Sequence, residues 1–140
     1  ALLRDHAVGH WTFIVDVDEF FIFPGYEGAG LRSFLDYVES HAATAVVAPM
    51  IDMYSGGVIA RTGYVSGQDL LTACPFFDGD GYEMGPEASE AHDLPVRGGP
   101  RHRLFWERHD RGFPSPVLKK TPLVRWSEAC ELVASTHTLK

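Results

Sequence analysis

The sequence has little cysteine, no long apolar run and no surplus of positive charge, and each shortage excludes something. Its two cysteines, Cys74 and Cys130, match neither a metal-binding nor a redox pair by spacing. Two cysteines suit a reducing compartment, and a disulfide between them stays open. No apolar stretch approaches the roughly 18 residues of a membrane span, and no signal-peptide pattern is present. The expectation is therefore a chain with no transmembrane segment, acting in the cytoplasm, with peripheral membrane attachment open for the full-length protein. Lys and Arg number 12 against 19 Asp and Glu, a net charge of −7. A general nucleic-acid binder would show a basic face, so no nucleic-acid partner is expected. Internal repeats and low-complexity tracts are missing too. So is an initiator Met: the chain opens Ala-Leu-Leu-Arg and meets its first apolar segment almost at once, as an excised piece of a longer protein would.

What is present suits an ordinary globular domain, at 45% hydrophobic and 22% charged residues over 140 positions. A single domain over 1–140 is expected, large enough to bury roughly two thirds of its unfolded surface. Residues 11–16 are rich in aromatic and β-branched types and read as a buried strand. From Gly30 to His41, Leu31, Phe34, Leu35 and Val38 recur at helical spacing, which predicts an amphipathic helix. Residues 44–51 read as a second strand, buried on both faces, with Pro49 marking an edge or bulge near its end. Residues 52–57 follow as a loop. A short helix over 68–74 is stopped by Pro75. A long loop spans about 78–100, and loops of that length are commonly functional. Residues 101–106 and 117–126 read as strands, the second interrupted by Pro122, and 132–136 as a last short one. Alternation of this kind predicts a mixed α/β sheet with flanking helices and ligand chemistry at the strand C-termini.

The most informative residues are Asp16-Val17-Asp18-Glu19-Phe20, directly after the first apolar strand. If that strand continues, Asp16 and Asp18 share a face roughly 7 Å apart. Two unit charges at that separation repel by about 2 kcal/mol at an effective dielectric near 20. A divalent cation with oxygen ligands, Mg²⁺ or Mn²⁺, would relieve the repulsion and bridge to a substrate phosphate. The plain alternative is an exposed acidic turn. Arg101 and Arg103, after the Gly98-Gly99 turn, are expected on one strand face, where two guanidinium forks clamp a phosphate, or else form a solvated surface. Lys119 and Lys120 supply ammonium groups that would offset a diphosphate. His137, after the last strand, is a candidate third metal ligand. Trp11, Trp106 and Trp126 are expected in the core, and Tyr54 is expected to pack or to stack on a sugar or base.

Five segments in order, Trp-x-x-x-x-Asp-x-Asp-Glu-Phe, Ala-Pro-Met-Ile-Asp-Met-Tyr, Gly-Gly-Pro-Arg-x-Arg-Leu-Phe, Lys-x-Pro-Leu-x-Arg-Trp and Ser-x-His, resemble the family 2-type glycosyltransferases of the Asp-x-Asp-Glu-Phe subgroup. The resemblance runs from Trp11 to His137. It implies a partial GT-A fold, a Rossmann-like α/β sheet that binds a nucleotide-diphosphate sugar, with the chain as the C-terminal part of that catalytic domain. It implies Mn²⁺ or Mg²⁺ as cofactor, with Asp18 the direct ligand, Asp16 acting through water or the ribose, and Glu19 supporting both. Arg101, Arg103 and Lys120 would lie near the diphosphate, and His137 would be a weaker metal candidate. The partners implied are the sugar donor and a glycan or glycoconjugate acceptor. An inverting enzyme needs a carboxylate to deprotonate the acceptor hydroxyl, for which Asp52 is the first candidate and Glu107 the second. The first nucleotide-binding strands of such a fold would precede residue 1.

Two rival readings stand beside this one. A haloacid dehalogenase-type phosphohydrolase also ends an apolar strand in Asp-x-Asp, the first Asp attacking phosphorus. There, however, Phe20 falls where Thr or Val belongs. A non-catalytic carbohydrate-binding module would keep the fold without the chemistry.

Overall fold

The structure, a computed structural model, describes residues 2–85, 95–107, 109, 111–133 and 138–139. It is a mixed α/β arrangement of short helices and small sheets. The chain divides into two compact units, Ala1–Ala48 with Lys119–Lys140, and Pro49–Leu118.

The first unit contains α1 (Leu2–His6), β1 (Trp11–Phe13), α2 (Gly30–Ser40), β2 (Ala45–Pro49, whose last residue begins the second unit), and, late in the chain, β7 (Lys119–Arg125), β8 (Leu132–Val133) and β9 (Thr138–Leu139). Its sheet has the order β1-β7-β2, so the last of the three strands in the chain lies in the middle. β7 is accordingly its most buried strand, with Lys120 to Val124 all out of solvent. The core gathers Ala7, Ile14, Val124 and Trp126, with Leu3, Ala45, Cys130, Leu132 and Leu139 packed around them. Helix α2 follows its predicted span closely, although Val38 is its only buried residue. Phe34 meets Phe21 and Phe23, with ring centroids 5.9 and 4.8 Å away. β2 is half-buried rather than covered on both faces.

The expected strand over 11–16 ends at Phe13, and Pro122 supplies the reason. β1 and β7 pair antiparallel with Phe13 opposite Leu123, which brings Ile14 opposite Pro122. Ile14 donates its N–H to the Pro122 carbonyl at 2.8 Å. Proline has no N–H to return the bond, so the ladder loses its reciprocal link and the chain is released into a turn. Pro122 therefore does not interrupt β7, which runs straight through it.

In the second unit, β3 (Met53–Tyr54) pairs with β4 (Phe76–Phe77), and β5 (Tyr82–Met84) pairs with β6 (Val96–Gly98). The helix α3 (Leu70–Ala73) lies inside its predicted span and is capped by Asp69, whose carboxylate accepts from the Thr72 N–H at 3.0 Å. Part of the expected 78–100 loop is thus a hairpin, and residues 86–94 lie outside the described residues.

The strand expected over 101–106 is instead a helix, α4 (Gly99–Phe105). Pro100 sits in its first turn, where a missing N–H costs nothing and the fixed φ favours helix entry. Gly98 and Gly99 have φ of 126° and 66°, and a Cβ on Gly98 would stand 2.1 Å from the Gly81 carbonyl oxygen. Only glycine lets β6 turn into α4 so close to β5. Trp126 is buried, whereas Trp11 and Trp106 are only partly so.

Candidate functional site

The acidic segment folds as a closed turn. The Glu19 N–H donates to the Asp16 carbonyl at 3.1 Å, and the Glu19 carboxylate accepts from the Asp16 N–H at 3.0 Å. These reciprocal bonds put Val17 and Asp18 at the corner, and Val17 is wholly in solvent. The shared strand face expected for Asp16 and Asp18 is therefore replaced by a turn, because the strand has already ended.

Lys120 closes the turn from beneath. Extending the β1–β7 register past Pro122 puts Lys120 opposite Asp16. Its ammonium donates to Asp16 Oδ2 at 3.0 Å and to Glu19 Oε2. The Lys120 side chain is 4% exposed, against 45% for Asp16 and 22% for Glu19. Burial alone pushes the Lys120 pKa down and is the largest single influence, but the bonds to the two carboxylates outweigh it and leave the pKa raised. Asp18 stays exposed and makes no hydrogen bond or ion pair among the described residues. Lys120, expected beside a diphosphate, is thus committed within the protein to two carboxylates.

Asp18 and the half-exposed Asp16 are carboxylates of the kind Mg²⁺ or Mn²⁺ takes, although Asp16 is already paired with Lys120. Both are hard oxygen donors, and such ions bind through one or two carboxylates with substrate phosphates completing the shell. Glu19 accepts from the Asp16 N–H and from the Lys120 ammonium. Among the described residues no three His, Cys, Asp or Glu side chains converge on one point. His137 lies outside the described residues.

The second unit carries its own polar cluster. Arg101 grips Asp52 with both ends of its fork, Nε to Oδ2 at 3.1 Å and Nη2 to Oδ1 at 2.6 Å. Arg103 makes a similar forked contact with Asp78, its Nη2 lying 3.1 Å from each carboxylate oxygen. Tyr54 donates its hydroxyl to Asp78 Oδ1 at 2.8 Å. That bond, followed by Arg103, holds the Asp78 pKa below the ordinary carboxylate value, and the same bond pushes the Tyr54 phenol up. Tyr82 has a buried hydroxyl with no partner among the described residues. Burial first, then the charges of Asp78 and Asp52, raise its pKa.

Arg101 and Arg103 therefore do not form a shared strand face. Two residues apart on a helix they point in different directions, and each fork is filled by an aspartate. Asp52 is engaged with Arg101, while Glu107, just past α4, is exposed and makes no side-chain hydrogen bond among the described residues. Tyr54 packs beside Phe76 at 6.2 Å between ring centroids and is anchored by Asp78. Asp78 and Tyr82 carry no motif in the sequence. Lys120 stands out in the sequence only as a basic residue, and its pairing with Asp16 and Glu19 comes from the structure.

Compared with protein-family models, curated proteins and solved structures, the chain matches none.

Proposed function

We propose that this chain is a segment of a nucleotide-sugar-dependent glycosyltransferase of the GT-A type, moving a sugar from a nucleotide-diphosphate donor to a glycan or glycoconjugate hydroxyl with inversion. The observation that carries the reading is the state of the acidic turn. Asp16 and Glu19 are tied down by a buried lysine, and Asp18 is held open to solvent at the corner. The backbone that carries this carboxylate is preorganised, so a ligand that engages it has only one short side chain to order. The ordered resemblance from Trp11 to His137 is the second support.

In this reading Asp18 holds the divalent ion, with Asp16 beside it and Glu19 and Lys120 fixing the turn. The ion supplies Lewis-acid stabilisation of charge on the departing diphosphate. Proton removal from the acceptor hydroxyl needs a carboxylate, for which Asp52 and Glu107 are the candidates. Glu107 is better suited than Asp52, because both Asp52 oxygens already accept from Arg101. The proposal includes action in the cytoplasm, where thiols such as the free Cys74 and Cys130 remain reduced.

The test is release of nucleoside diphosphate from a panel of nucleotide sugars by the full-length protein with Mn²⁺. Asp18→Ala is expected to abolish turnover while leaving the melting temperature unchanged, since the side chain is exposed and makes no bonds among the described residues. Full activity of that variant would overturn the reading. So would turnover of a generic aryl phosphate without acceptor, the mark of a phosphohydrolase. Sugar affinity with no metal requirement and no nucleoside diphosphate released would point to a binding module.

A further inference from the structure

Three carboxylates within four residues form a turn that charge repulsion should open, yet the turn is closed. The compensating charge belongs to the protein. Lys120 comes from the central strand of the first unit's sheet and is buried, with its ammonium 3.0 Å from Asp16. Its ammonium reaches one oxygen of Asp16 and one of Glu19, the two acids that also hold the turn together through the backbone. A compact cationic head with several donors, on a buried stem, can do at this point what a small hydrated cation does elsewhere.

We propose that Lys120 is the resident cation of the acidic turn: its ammonium balances and positions Asp16 and Glu19, so the turn forms without a divalent ion. Asp18 is then the one carboxylate of the turn outside the Lys120 ion pairs among the described residues, and it is what an incoming ion meets first. One carboxylate binds Mg²⁺ or Mn²⁺ weakly, so the ion enters together with phosphate oxygens rather than ahead of them. Lys120 is thereby a positioning residue, and it does not contact the diphosphate. The inference concerns the charge balance of the turn and holds whether or not a sugar is transferred.

The experiment uses the full-length protein and metal alone, without nucleotide sugar, so inactivity as a transferase leaves it readable. Melting temperature is followed in chelator and in millimolar Mn²⁺, with Mn²⁺-induced broadening of the Asp16 to Glu19 amide signals as a second readout. The wild type is expected to be indifferent to both additions, with little broadening at the turn. Lys120→Ala opens the lysine's space and leaves the acids unbalanced. It is expected to melt lower in chelator and to regain several degrees in saturating Mn²⁺, as binding to the folded state alone requires. Lys120→Arg, which keeps a cation, is expected to resemble the wild type. A wild-type turn that chelator destabilises or that Mn²⁺ alone broadens strongly overturns the inference. So does a Lys120→Ala protein that Mn²⁺ neither stabilises nor, if it is unfolded in chelator, restores.

Discussion

Lys120 and Asp16 meet across the end of the β1–β7 pairing, two residues beyond the proline that stops it, with ammonium and carboxylate 3.0 Å apart. This contact joins the start of a buried strand to the first residue of the acidic turn. Its strength sets how firmly Asp18 is presented.

Replacing Lys120 with Met keeps the buried stem and removes the charge. Asp16 and Glu19 then lose a donor while remaining partly shielded, and the expected loss is about 1–3 kcal/mol of unfolding free energy. The Lys120 pKa is raised above its ordinary value of 10.5. The stabilisation is therefore complete below that value and is lost as pH rises through the higher folded-state pKa. Urea unfolding of both proteins from neutral to strongly alkaline pH should show the gap closing. A gap that widens with rising pH would contradict the assignment.

Asp78 gives the opposite sign. Its pKa lies below the ordinary 3.8, held there first by the Tyr54 hydroxyl and then by Arg103. The stabilisation is present above 3.8 and disappears as pH falls through the lowered folded-state value. Asp78→Asn is therefore expected to melt below the wild type at neutral pH and to converge with it in acid. An undiminished difference at low pH would show that packing, and not charge, is responsible.

Gly99 and Gly112 separate backbone strain from collision. Both have positive φ, 66° and 68°, but a Cβ on Gly99 would lie 2.7 Å from the Tyr82 ring while one on Gly112 meets nothing within 4 Å among the described residues. Gly112→Ala should cost about 1 kcal/mol for the left-handed conformation alone. Gly99→Ala should cost roughly 1–3 kcal/mol more, through overpacking against Tyr82. Equal melting temperatures for the two variants would mean that Tyr82 yields freely.

The sequence discloses elements whose pattern is local. The helical spacing of Leu31, Phe34, Leu35 and Val38 is read directly as α2, and Pro75 marks the end of the segment that contains α3. It discloses less where long-range pairing decides. Residues 101–106 look like a strand because Leu104, Phe105 and Trp106 are apolar in a row, yet the preceding Gly-Gly-Pro carries a helix-start signal that outweighs them. The acids at 16, 18 and 19 are conspicuous, but their separation depends on where β1 stops. That is fixed by Pro122, more than a hundred positions away. The aspartates that fill the Arg101 and Arg103 forks are invisible for the same reason, since nothing near an arginine in sequence names its counter-ion.

The placing of β7 between β1 and β2 has a bearing on how the protein reaches its native state. Trp11 finds its neighbour only when Arg125 is available, so the sheet of the first unit is assembled by contacts of high sequence separation. Such contacts pay their loop-closure entropy early and slow the search. On a ribosome, β1 and β2 emerge long before the strand that joins them and must wait with unpaired edges, a state in which chaperone capture or self-association competes with folding.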